Sequence, residues 1–110
     1  MAIHHASSGE LINIRPLNGE LASAITKALY KSDRLEIFRT ILLAGRKVPP
    51  HRVAGEITVY CVEGHVEFTF GETTRSMRGG DLLCLAGSET HALKAVEDSS
   101  VVVTILLHGA

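Results

Sequence analysis

The chain has no excess of charge of either sign: 11 Lys and Arg stand against 12 Asp and Glu, a formal net charge of -1 over 110 residues. With no basic footprint, a nucleic-acid partner is not expected, and nothing draws the chain to an anionic membrane surface. It also lacks a long apolar run. The longest, Val101 to Leu107 with Thr104 inside it, falls far short of the ~20 residues that span a bilayer. Residues 1–10 contain no charged stretch followed by an apolar one, so no secretory leader is read there and a cytoplasmic location is expected. His4 and His5 lie in this small, polar stretch and are assigned no function.

Cysteine is scarce too. Cys61 and Cys84 sit in apolar segments without C-x-x-C spacing, which suits two reduced, buried thiols better than a disulfide framework. There is no internal repeat, no low-complexity linker and no domain boundary, so residues 1–110 form one domain, with 1–15 expected as a loose or swapped N-terminal segment. Nor is there a G-x-S-x-G elbow, a phosphate-cradling glycine loop, an H-E-x-x-H helix or a paired-cysteine zinc motif.

What is present is strand rhythm. Hydrophobic residues make up 45% of the chain, enough for a packed core. From the middle onward, short apolar runs rich in β-branched residues alternate with turn signals, predicting strands over 35–43, 55–63, 65–70, 73–77, 81–85, 91–96 and 101–107. Ala44-Gly45, Pro49-Pro50, Gly71-Glu72, Gly79-Gly80 and Ala86-Gly87-Ser88 punctuate them as turns. Many short strands without helical crossovers imply an all-β, jelly-roll-like antiparallel barrel. Residues 18–30 read two ways. Leu21, Ala24, Ile25, Ala28 and Leu29 recur at helical spacing behind Asn18, giving a short N-terminal helix, yet 26–30 also suits a hairpin with 35–43.

Gly45, His51 and Gly64, followed by Gly80 and His91, fall at spacings by which the stretch from Gly45 to Ala95 resembles a small single-domain cupin of the RmlC-like type. The first cupin motif is Gly, five residues, His, one residue, His, three or four residues, Glu, six residues, Gly, and Gly45, His51 and Gly64 fall in register. The second His position holds Val53 and the Glu position holds Ile57. In the second motif Gly80 and His91 are kept, while Ala86, Ser88 and Ala95 stand at the Pro, Gly and Asn positions. The resemblance implies a cupin-type double-stranded β-helix in which His51 and His91 face the barrel interior and a divalent transition metal, of unspecified identity, is the family's usual cofactor. Such metals are held by three protein ligands with an open position, or by two His and one carboxylate. Only two ligand positions keep a donor here.

Glu56 stands one residue before the lost Glu and with His51 and His91 would complete a metal set of two His and one carboxylate. Strand alternation opposes this, because a one-residue offset points a side chain to the other face unless 53–55 is bulged. Cys61 shares parity with Ile57 but lies four residues away, ~13 Å along a strand, too far to substitute locally. His65 is expected on the outside, opposite Val66, Phe68 and Phe70. Arg39 and Arg52 read as surface charges and Asp81 as a turn residue.

Two function classes are compatible with these residues. The first is a small-molecule binding module without catalysis, its apolar cavity built from Val53, Ile57, Val59 and Phe68 and its ligand oriented by His51 and His91. The second is a metal-dependent cupin enzyme of oxygenase, isomerase or decarboxylase type acting on a small organic substrate. Because both faces of 101–107 are apolar, that strand must be covered twice, by the N-terminal segment or by a second subunit, and a homodimer is expected.

Overall fold

The computed structural model describes residues 5–107. A 3-10 turn, Asn18–Ser23, precedes nine strands: β1 Lys27–Lys31, β2 Leu35–Leu42, β3 Lys47–His51, β4 Ile57–Glu63, β5 His65–Phe70, β6 Thr73–Arg78, β7 Leu82–Leu85, β8 His91–Ala95 and β9 Ser99–Leu106. They form two antiparallel sheets ordered β1-β2-β9-β4-β7 and β3-β8-β5-β6. Apart from the β1–β2 and β5–β6 hairpins, successive strands change sheets, as expected of a jelly-roll barrel.

Alternation along the strands builds the core. Ile57, Val59 and Cys61 of β4 and Val101 and Val103 of β9 meet Val66 and Phe68 of β5 and Leu93 of β8 in one buried cluster. Each such side chain contributes about 1.5–3 kcal/mol through burial. Cys61 behaves as a core residue: burial, reinforced by the charge of Asp81, pushes its thiol up to about 11. Cys84 does not. It lies exposed on the outer face of edge strand β7, because Leu83 and Leu85 take the inward positions. Asp81 accepts the Arg78 N–H at 2.8 Å, as its turn position predicts.

The strands expected from the sequence all form, with ends shifted by one or two residues. Residues 18–30 contain both readings in succession, a 3-10 turn and then a strand that pairs with β2. No side chain caps that turn from within. The carboxylate of Glu63, 46 residues away, accepts the Leu17 N–H at 3.0 and 2.9 Å and the Asn18 N–H at 3.0 Å. Strand β3 was not expected, since Pro49-Pro50 reads as a turn. It is an edge strand, where proline's missing N–H leaves no ladder position empty.

A bulge in β4 places Glu63. Cys61 pairs with Val101 and Glu63 with Ser100, so Val62 is the extra residue and Glu63 joins Ser100 on the outer face. There its carboxylate also accepts from Ser100 Oγ at 2.7 Å and from Arg39 Nη2 at 3.1 Å, and the same Nη2 donates to the Arg15 carbonyl at 2.8 Å. Arg39 is therefore not a surface charge; it is 5% exposed. The network clamps residues 15–18 across the outside of the larger sheet. Val102 on that face is buried within the single chain, whereas Leu106 remains 44% exposed. His65 points away from Val66 and Phe68 as expected, yet its Nε2 is sealed from solvent without a partner.

The frame glycines have a conformational reason. Gly45 and Gly64 adopt φ +86° and +92°, where a β-carbon is disfavoured, and at Gly64 a Cβ would collide with Ser99.

Two outcomes follow from the clamp. Glu63→Ala leaves the Arg39 guanidinium buried and unpaired, and should cost about 3 kcal/mol in urea unfolding while making residues 10–25 more sensitive to limited proteolysis. The second concerns pH. Burial raises the Glu63 carboxyl, but the Leu17 N–H, Ser100 hydroxyl, Asn18 N–H and Arg39 guanidinium outweigh it and hold the group below its ordinary value. Its stabilisation is therefore complete above about pH 5 and is lost as pH falls through the lowered value. Wild type should lose more stability than Glu63→Gln between about pH 6 and pH 3.5; parallel losses would show that Glu63 is not the acid-sensitive group.

Candidate functional site

Between the two sheets lies a cavity of about 80 Å³, lined by side chains of β2, β3, β4, β5, β8 and β9 and by Val53. His51 and His91 are on its wall, together with Val53, Ile57, Val59 and Phe68. Sequence reasoning did not find Phe38, Thr40, Val48, Leu93, Val101, Val103 and Ile105, which also line it. Their alternation was visible in β2 and β9, but nothing in one sequence says which neighbouring strands share an interior. None of the lining residues is charged.

The position of His51 depends on an irregularity in β3. Val48 pairs with Leu93 and His51 with His91, so three steps along β3 match two along β8. One extra residue at Pro49-Pro50 reverses the alternation, and Val48 and His51, which would otherwise face opposite sides, both line the cavity. His91 and Leu93 keep regular spacing on β8 and line it too.

The two imidazoles stand side by side, with ring centroids 4.4 Å apart and planes at 59°. His91 is buried and stacks on Phe68 at 5.5 Å and 9°, while His51 is exposed at the rim. His51 Nδ1 lies 3.0 Å from the Pro49 carbonyl oxygen, and His91 Nδ1 lies 2.9 Å from that of Glu89. Each ring is thus fixed by the backbone two residues before it.

Glu56 is not brought to this pair. It is exposed, while its neighbour Ile57 is buried in the cavity wall, the outcome that unbroken alternation dictates. Gly55 does not provide a bulge that turns Glu56 inward: the Glu56 carbonyl accepts the Leu106 N–H at 3.0 Å, and a Cβ at Gly55 would collide with the Leu106 backbone. Among the described residues no three His, Cys, Asp or Glu side chains gather closely enough to hold a metal ion. The donors present therefore do not fit a three-ligand transition-metal site, since Val53 and Ile57 put hydrocarbon where the first cupin motif has His and Glu.

A family model for the cupin domain matches residues 38–107. No curated protein matches the sequence. Among solved structures, a conserved protein of unknown function from Streptococcus pyogenes superposes with a TM-score of 0.77 at 20% identity, covering 100% of both chains. A cupin superfamily protein from Desulfitobacterium hafniense gives 0.76 at 20% identity over 89% of this chain and 95% of that one. An RmlC-like cupin from Desulfovibrio desulfuricans gives 0.68 at 28% identity over 74% and 80%. These likenesses establish the barrel, the family model covers most of the chain, and the glycines and histidines of both motifs fall inside it: the chain belongs to the cupin family.

Proposed function

We propose that this protein is a non-catalytic binding module that takes a small molecule into its barrel, with the tail among Val59, Ile57 and Phe68 and the polar end against His51 and His91. The observation that carries this reading is the pair of adjacent imidazoles on the wall of an otherwise uncharged, hydrocarbon-lined cavity. A few convergent polar groups in an apolar pocket are the usual composition of a small-molecule site. Size restricts the ligand. An engineered cavity of about 150 Å³ admits benzene, so 80 Å³ suits a tail of roughly three or four carbons, with the head at the rim near exposed His51.

The alternative, a metal-dependent oxygenase, isomerase or decarboxylase, draws support from the two Nδ1 contacts to carbonyl oxygens, an arrangement common behind metal-bound histidines. Among the described residues it lacks a third donor. The binding reading needs none, and for that reason it leads.

The test is to fill the cavity. Val59→Ile with Val103→Ile adds two methylenes to the wall while keeping its chemistry. A ligand at ten times its Kd adds about 1.4 kcal/mol of stability, or roughly 5 °C in Tm for a domain of this size. Alcohols and amides of three to five carbons should raise the Tm of wild type by that amount and leave the filled double variant unmoved. Equal shifts in both proteins would place binding outside the cavity.

A homodimer is also proposed. On the outer face of the larger sheet, strand register aligns Ile37, Thr104, Thr58 and Cys84 across β2, β9, β4 and β7, with Tyr60 beside Leu82 in the next row. None of these is charged, and Leu82 is 63% exposed. This uncharged patch, beside the mutually paired Arg39 and Glu63 on the same face, can meet its own copy at about 10 Å without like-charge repulsion, which favours a two-fold pair. Light scattering at about 10 μM should give twice the chain mass for wild type and a monomer for Leu82→Lys with Leu106→Lys. A monomeric wild type would refute it.

A further inference from the structure

We infer that the ligand of this cavity is a neutral hydrogen-bond donor, an alcohol or a primary amide on a short hydrocarbon, and that carboxylates are rejected while both imidazoles are neutral. The inference rests on the binding reading above and adds the chemical class of the ligand.

A carbonyl oxygen can only accept a hydrogen bond. With His51 Nδ1 at 3.0 Å from the Pro49 carbonyl and His91 Nδ1 at 2.9 Å from the Glu89 carbonyl, each Nδ1 carries the hydrogen. A neutral imidazole has one N–H, so the Nε2 of both rings is a bare lone pair. The arrangement is built twice in the same way, each ring tied to the carbonyl two residues earlier in its own strand or the turn before it. At His51 the two prolines stiffen that stretch, and at His91 the stack on Phe68 at 5.5 Å and 9° fixes the ring plane. Neither tautomer depends on a mobile side chain.

Each of the two rings on the cavity wall therefore keeps one acceptor nitrogen, and the ring centroids are 4.4 Å apart. The cavity's third polar group is the hydroxyl of Thr40, which gives or receives as the ligand requires. No Lys or Arg lines it. While both rings are neutral, a carboxylate entering would face two lone pairs without a counter-charge, and an ionised group desolvated without a partner is strongly disfavoured. An alcohol or amide places its hydrogen on Nε2 instead and satisfies both partners. An ester of the same shape has no hydrogen to give. Discrimination should follow that order, with donors at least tenfold tighter than the carboxylate.

The experiment uses the full chain labelled with 15N at about pH 8.5, where free imidazole is neutral. Long-range 1H–15N correlations read the tautomer of each ring directly, and titrations follow Nε2 of His51 and His91 with four probes sharing an isopropyl end: isobutanol, isobutyramide, methyl isobutyrate and isobutyrate. Both rings are expected as Nδ1–H with bare Nε2. Isobutyramide, with two N–H groups, should shift both Nε2 signals and isobutanol, with one hydrogen to give, at least one of them; the ester should bind more weakly, and isobutyrate weakest of all. An Nε2–H tautomer in either ring, or isobutyrate binding as well as the amide, would overturn the donor assignment and leave the cavity as a binding site. If none of the four probes perturbs any cavity residue, the binding reading falls as well.

Discussion

One extra residue in β3 decides which side chains share the interior of this barrel. Strands alternate their side chains with a period of two, and β3 breaks that period at Pro49-Pro50, so that Val48 and His51 share the inner face. Without the bulge His51 would point to solvent and His91 would be alone in the cavity. The prolines serve the bulge because β3 is an edge strand, where their missing N–H interrupts no ladder. A second bulge, at Val62 in β4, performs the complementary operation outside the barrel. It carries Glu63 from the inner to the outer face, where the carboxylate gathers Arg39, Ser100 and the N–H groups of Leu17 and Asn18. One irregularity builds the interior site and the other fastens the N-terminal segment over the sheet.

These two bulges also mark where the sequence stops being legible. Alternation and turn residues suffice for every strand from 35 onward except β3, because each apolar run buries one face and is followed by a Gly, Pro or Asp turn. The same parity argument correctly keeps Glu56 outside and Ile57 inside. Parity fails where the chain departs from it. Pro49-Pro50 reads as a loop, so β3 was missed, and Glu63 reads as an ordinary strand end although a buried guanidinium depends on it. Cys84 was assigned to the core from its apolar neighbours, while its parity with Leu82 places it outside. Residues 18–30 resisted assignment for a different reason: the 3-10 turn there is capped by a carboxylate 45 and 46 residues away, a partner that local sequence does not show.

The contents of the cavity separate scaffold from chemistry. Glycines at positions that need positive φ, such as Gly45 and Gly64, preserve the family's backbone. The positions that would complete a metal shell hold Val53 and Ile57, which help to make the wall hydrocarbon. What survives of the polar set is two imidazoles with their hydrogens directed to backbone carbonyls. The scaffold thus matches the family while the groups lining its interior differ, and a fold carries no function apart from the groups at its site.

The most direct test of the binding-module reading is metal content. Elemental analysis of untagged protein purified without chelator, repeated after incubation with iron, manganese, nickel, copper or zinc and desalting, should find well under one equivalent, unchanged in His51→Ala and His91→Ala. One equivalent in wild type, lost in both variants, would contradict the account. It would mean that a third donor reaches the cavity and that the barrel is a metal centre.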